Sequence, residues 1–196
     1  MAAVTPDEKP YFAASAWEHA RHRVVWLLIL MLSAAITGSI ITRYEDAISA
    51  VPLLVAFLPM LMDTGGNCGS QASVSVIRGI SLNEIQFSDL FRVIWKEIRV
   101  SVICGITLAA ANFAKLMLID RMLFQNQMVT IPVAAVICGT MVCTVICAKL
   151  VGCSLPLLAK KLHFDPAVMA SPFISTIVDS LSLLIYFRFA SLFLGL

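Results

Sequence analysis

The chain alternates long apolar runs with short polar gaps. Five runs approach or exceed the roughly 20 residues needed to cross a bilayer's hydrocarbon core. They cover residues 24–42, 47–77, 98–119, 128–158 and 166–196. The second, fourth and fifth are longer than a minimal span and can tilt, or break at Pro52, Pro59, Pro132, Pro156 and Pro172. Between the second and third runs, Phe87, Leu90, Phe91, Ile94, Trp95 and Ile98 recur at helical spacing, opposite Asp89, Arg92, Lys96, Glu97 and Arg99. That pattern predicts an amphipathic helix lying on the membrane surface. Residues 11–23 mix aromatic and basic side chains and fit an interfacial helix or a plain lead-in to the first span equally well. The predicted architecture is all-α and polytopic. A short tail and possible interfacial helix (1–23) precede a transmembrane domain of five helices (24–196).

Composition sharpens this picture. Of 196 residues, 60% are hydrophobic and 13% charged, and the mean hydropathy is +0.91. Lipid, not water, is therefore the solvent for most of the chain. The net charge of +2 says less than the placement of the charges. Lys9, Arg21, Arg23, Arg78, Arg92, Lys96, Arg99, Lys160 and Lys161 fall on one side of the five-span arrangement, and only Arg43 and Arg121 on the other. By the positive-inside rule the N-terminus is cytoplasmic and the C-terminus outside. Lys115, Lys149 and Arg188 are placed near span ends, where they can snorkel to the interface. A multi-pass protein of the cell's inner (plasma) membrane is expected, with no cleavable signal peptide and with lipid rather than nucleic acid around it. The six cysteines lie in apolar segments without a C-x-x-C pair and read as small buried residues.

Chemistry concentrates in two places. Residues 62–71, MDTGGNCGSQ, put a carboxylate, two amides and three glycines inside a span. Polar or irregular backbone survives at membrane depth only against protein or a water-filled cavity. Of twelve acidic residues, only Asp63 and Asp179 are placed deep in the membrane. A bare carboxylate there costs at least about 2.5 kcal/mol on insertion scales and is a functional candidate by default. In the fifth run, Asp165 suits a helix N-cap followed by Pro166. Pro172 leaves the carbonyl of Val168 without a helical partner. Ser175 precedes Asp179 by four residues and shares its helical face, with Thr176 and Ser182 nearby. In the second run Gly65, Gly66 and Gly69 either let helices approach closely or let the helix open, and Asn67 and Gln71 share a face. Amides, hydroxyls, carbonyls and one or two carboxylates are hard ligands that suit Mg2+, with Mn2+ or Ca2+ as other candidates.

The motif P-x6-PMLMDTGGNCGSQAS-x4-RG at residues 52–79 closely resembles the second transmembrane helix of the MgtE magnesium channels and transporters, relatives of solute carrier family 41. The sequence DPAVMASPFISTIVD at residues 165–179 resembles that family's fifth helix. The resemblance covers nearly the whole chain. It implies a homodimer with the ion path on its two-fold axis, lined by helices two and five of both subunits. It also implies that Asp179 is the central pore carboxylate, that Ser175 contributes a backbone oxygen, that Asp165 stands at the cytoplasmic mouth and that Asn67 lines the path. Gly65, Gly66, Gly69, Gln71, Thr176 and Asp63 are further lining candidates, with Asp63 facing either the pore or a neighbouring helix. Typical bacterial members carry an N-terminal cytoplasmic domain and paired CBS domains before the membrane part. Here only about 23 residues precede the first span, so those regulatory domains are expected to be absent. The expected function is channel-like influx of hydrated Mg2+, not an enzymatic activity. Two alternatives remain open at this point. One is a Na+- or H+-coupled carrier. The other is an intramembrane aspartyl protease built on Asp63-Thr64-Gly65 with Asp179.

Overall fold

The computed structural model describes residues 12–13, 15–163, 166 and 172–195. Six α-helices follow in order: α1 (Ala16–Arg43), α2 (Glu45–Ala50), α3 (Leu53–Ser81), α4 (Leu90–Lys115), α5 (Ile131–Lys161) and α6 (Pro172–Leu194). A 3-10 turn at Phe87–Asp89 leads into α4, and a π-helical segment, Leu116–Leu123, extends it. No strand occurs among the described residues. Four helical stretches are long and apolar enough to cross a membrane: Ala16–Arg43, Phe87–Leu123, Ile131–Lys161 and Phe173–Leu194. With 29 residues, or about 43 Å, α3 has the length but is too polar to qualify by composition.

Local sequence explains the helix boundaries. Ser15 opens α1 with a capping box: the Glu18 amide donates to the Ser15 hydroxyl, and the Ser15 amide donates to the Glu18 carboxylate at 2.8 Å. From there α1 is unbroken, so residues 16–23 are its first turns and not a separate interfacial helix. The long second run divides. Val51 and Pro52 separate α2 from α3, whereas Pro59 lies inside α3 without breaking it. The whole glycine-rich motif is therefore helical. Thr130 caps α5, which accommodates Pro132 in its first turn and Pro156 in its interior.

One expectation is corrected outright. Residues 87–99 do not form a separate helix on the membrane surface. The Gln86 amide donates to the Asp89 carboxylate at 3.0 Å, the 3-10 turn follows, and α4 runs on through the third span without interruption. Amphipathic spacing is the same whether a helix lies flat or continues inward, so periodicity could not separate the two.

The core forms where α3, α5 and α6 pack together, with α4 laid on α5 and α1 mainly on α6. At the end where α3 and α5 begin and α6 finishes, Leu54, Leu61, Leu116, Ile137, Tyr186 and Phe187 are fully buried. There the Tyr186 hydroxyl donates to the Leu54 carbonyl at 3.1 Å, and the Tyr44 ring stacks on Phe187 at 4.9 Å. At the opposite end Val76, Ile80, Cys153 and Leu157 close the core against Phe87 and Leu90. A hydroxyl pair, Thr37 and Ser180 at 3.2 Å, joins α1 to α6. All six cysteines are free.

A second correction concerns charge. Lys149 does not snorkel from a span end. It is buried, with 7% of its side chain exposed, and lies 3.7 Å from Glu97 of α4, whose side chain is 14% exposed. Glu97 is thus a third carboxylate inside the helical bundle, which sequence reasoning had put on the surface. Lys115, by contrast, stands at the end of α4, 2.7 Å from Asp120 and over the Phe57 ring.

Candidate functional site

Glycine sets the distance between the three central helices. A Cβ on Gly65 would come within 2.8 Å of side-chain carbons of both Thr144 and Val178. One on Gly69 would meet Ile174 at 2.9 Å and the Ala148 carbonyl oxygen at 3.1 Å. A Cβ on Gly152 of α5 would fall onto the carbonyl oxygen of Gly69. Gly65 and Gly69 therefore point at α5 and α6, in the close-packing role that small residues take between membrane helices. They do not line the cavities described next.

That packing fixes the rotation of α3. Its opposite face, with Asp63, Asn67 and Gln71 at successive four-residue steps, is left exposed. Asp63 lies ten residues into α3, or about 15 Å along it. Beside this face is a cavity of about 180 Å³ lined by Met62, Asp63, Gly66, Asn67, Ser175 and Asp179. Gly66 makes the space, since its missing side chain would stand 3.3 Å from the Ser175 hydroxyl. Ser175 and Asp179 enter from one face of α6, a single turn apart. The polar lining is two carboxylates, an amide and a hydroxyl, with no cationic side chain among the described residues. Two carboxylates facing one small space repel each other unless a cation or a proton lies between them.

A second cavity, of about 450 Å³, lies on the other flank of α3. Asp63, Thr64, Asn67 and Gln71 line it together with Cys104 and Thr107 of α4. Asp63 and Asn67 thus belong to both spaces. The sequence reading did not give Met62, Thr64 or Thr107 as lining candidates, although Met62 and Thr64 fall within the motif it singled out. Thr64 was legible as the neighbour of Asp63. Thr107 carried no signal, because its hydroxyl donates to the Ile103 carbonyl at 2.8 Å as in any apolar helix. Thr176, half-buried, lines neither cavity, and its carbonyl accepts from the Ser180 hydroxyl at 3.2 Å. Asp165 and Val168 lie outside the described residues.

Among the described residues no three His, Cys, Asp or Glu side chains come together. The described residues of one chain thus build no carboxylate cage for a dehydrated ion. What it offers is hard oxygen ligands around space for several waters. This suits an ion such as Mg2+, which sheds water reluctantly and engages one or two carboxylates.

Comparison with known proteins adds an independent line. A family model described as "MgtE: Divalent cation transporter" matches residues 58–189. The chain is 35% identical over 172 residues to the magnesium transporter MgtE of Thermus thermophilus, covering 88% of this chain and 36% of that protein. It is 35% identical over 191 residues to the magnesium transporter MgtE of Bacillus subtilis, covering 97% and 39% of the two chains. Against the Enterococcus faecalis protein of the same name the identity is 33% over 188 residues, with 96% and 38% covered. The chain spans a little over a third of the length of the curated relatives it matches. Those relatives are named as transporters, not as enzymes, and the protease alternative draws nothing from them.

Proposed function

Because the chain belongs to the MgtE family of divalent cation transporters, we propose that it passes hydrated Mg2+ across the plasma membrane into the cytoplasm, in a channel-like manner. The observation that supports this most directly is the pair of carboxylates, Asp63 from α3 and Asp179 from α6, sharing one cavity without a cation from the chain. In this reading Asp179 attracts the ion and holds it through water, Ser175 contributes an oxygen one turn away, and Asn67 narrows the path. Asp63, which reaches both cavities, adds negative potential along the route. Asp165 would serve at the cytoplasmic exit, as a second cation site or as a helix cap. Mn2+ and Ca2+ remain candidate cargoes of the same ligand chemistry.

The open polar face of α3 supports a homodimer. A helix face carrying Asp63, Asn67 and Gln71 is costly against lipid. A second copy related by a two-fold axis would give two such faces to one aqueous path, lined by α3 and α6 of both subunits. An inside-negative voltage drives the ion inward by roughly 4.6 kcal/mol per 100 mV for a divalent charge.

The test is Mg2+ flux into proteoliposomes under an imposed voltage, without Na+ or pH gradients, comparing the native chain with Asp179→Asn. Voltage-driven flux that the substitution reduces by tenfold or more is the expected result. Flux that requires a Na+ or H+ gradient would replace the channel with a coupled carrier. Equal flux in the two proteins at equal expression would remove Asp179 from the path.

A further inference from the structure

The first turns of α4 carry a feature that ion passage does not use. Arg92, Lys96 and Arg99 follow one another at four- and three-residue steps, so they form a single stripe on the helix. Together with Glu84, Asp89 and Trp95 they line a cavity of about 550 Å³ against the loop from α3. Among the described residues none of the three cations has an ion-pair partner. The two carboxylates do not cancel them. Asp89 accepts from the Gln86 amide at 3.0 Å and keeps its charge, so with Glu84 it leaves one positive charge in excess in the groove. A smaller adjoining space, about 190 Å³, brings Arg78 in from α3. The Glu97 carboxylate that also borders it is already matched by Lys149.

The same stripe continues as an apolar one. Beyond Arg99 the helix presents Ile103, 67% exposed, and Ile106, 57% exposed. Arg92, Lys96, Arg99, Ile103 and Ile106 lie within about 40° of one line along the helix, over about 21 Å. Phe91 and Trp95, both exposed, flank the cationic part. Aromatic side chains of this kind favour the level of lipid headgroups. A cationic pocket at headgroup level, with an exposed aliphatic track leading away from it into the hydrocarbon, has the shape and polarity of one lipid molecule.

We propose that the groove at the start of α4 binds an anionic phospholipid, with its phosphate held by Arg92, Lys96 and Arg99 and an acyl chain laid along Ile103 and Ile106. Guanidinium groups suit this role, because they present planar pairs of donors to phosphate oxygens. The phosphate subsite lies apart from the cavity that holds Asp63 and Asp179, whereas Ile103 also borders the larger cavity between α3 and α4; lipid binding is read directly, so its test stands whether or not Mg2+ is conducted.

The experiment is binding of fluorescent phosphatidylglycerol to the full chain in nanodiscs of phosphatidylcholine, compared across three proteins. These are the native chain, Arg92→Gln/Arg99→Gln, and Lys160→Gln/Lys161→Gln. The last removes the same charge from the end of α5, where Lys161 stands over the Phe87 ring, away from the groove. Losing a charge-assisted hydrogen bond to a phosphate costs roughly tenfold or more, so the groove variant should weaken binding by at least roughly tenfold and the control, whose lysines do not touch the phosphate, much less. Equal weakening in the two variants would show diffuse attraction to a basic surface and overturn the site. So would binding that neither variant changes. Excess inorganic phosphate separates the sources: a lipid held by headgroup and chain resists it, whereas complete displacement would make the groove a site for free phosphate. Far-ultraviolet circular dichroism and elution volume establish that each variant is folded before its binding is read.

Discussion

The bundle brings charged side chains together in two places, and they are built in opposite ways. Between α4 and α5, Lys149 and Glu97 answer each other at 3.7 Å and are both mostly buried. Between α3 and α6, Asp63 and Asp179 line a cavity that opens onto the surface of the chain, with no opposite charge supplied. In the first arrangement the chain supplies both charges, although the Glu97 oxygen that faces Lys149 makes no hydrogen bond among the described residues. The second is incomplete on its own. Charge that the lining of a cavity leaves unanswered is what makes the second place, and not the first, a candidate cation site.

The contrast predicts different responses to neutralisation. The largest effect on stability should come from the Lys149–Glu97 pair. Lys149→Met leaves Glu97 buried and unmatched, and breaking a buried pair from one side costs about 3–5 kcal/mol. Thermal unfolding in detergent should show that loss. The double variant Lys149→Met/Glu97→Leu should recover most of it, and a double no better than the single would deny that the two groups compensate each other.

At the open site the sign should reverse. Asp179→Asn removes repulsion, so without divalent ions the variant should be at least as stable as the native chain. What it should lose is stabilisation by added Mg2+, which reaches about 2.7 kcal/mol at a hundred times the dissociation constant. A melting temperature that still rises with Mg2+ in Asp179→Asn would place the bound ion elsewhere.

A smaller effect separates packing from both. Gly152→Ala puts a methyl group onto the Gly69 carbonyl oxygen, and overpacking of this kind costs about 1–3 kcal/mol. Gly38→Ala in α1, where a Cβ would meet nothing within 4 Å, should be neutral or slightly stabilising. If the two substitutions behaved alike, the close contact of α3 with α5 would not be holding the bundle together.

How far the sequence reaches is itself uneven, and for physical reasons. Asp63, Asn67 and Gln71 were legible because polar residues at four-residue steps inside an apolar run have few explanations. Ser175 and Asp179 were legible for the same reason. The role of the glycines was not settled, since three glycines on a helix suit an open helix and a tightly packed one alike. Only the neighbours decide, and Gly65 and Gly69 face Thr144, Val178 and Ile174. Lys149 was misplaced because α5 runs for 31 residues, well past a minimal span. Hydropathy alone does not say which part of so long a helix is enclosed by others. Its partner Glu97 is distant in sequence, and no local pattern links the two. The continuous α4 was missed because a surface helix and the start of a span share one periodicity. Chain order and the all-helical class came through more readily; of the five expected spans, four qualify among the described residues, and α3 is the exception whose apolar content falls short of its length.

That shortfall in α3 bears on how the protein is made. The apolar gain that drives a segment out of the translocation channel into lipid is weakened in α3 by Asp63, Asn67, Gln71 and its glycines. The surfaces that shelter its glycine face belong to α5 and α6, which leave the ribosome after it. The helix that carries half of the candidate site is therefore the one whose insertion depends on segments not yet synthesised when it emerges, and its final seat forms only once α5 and α6 have followed.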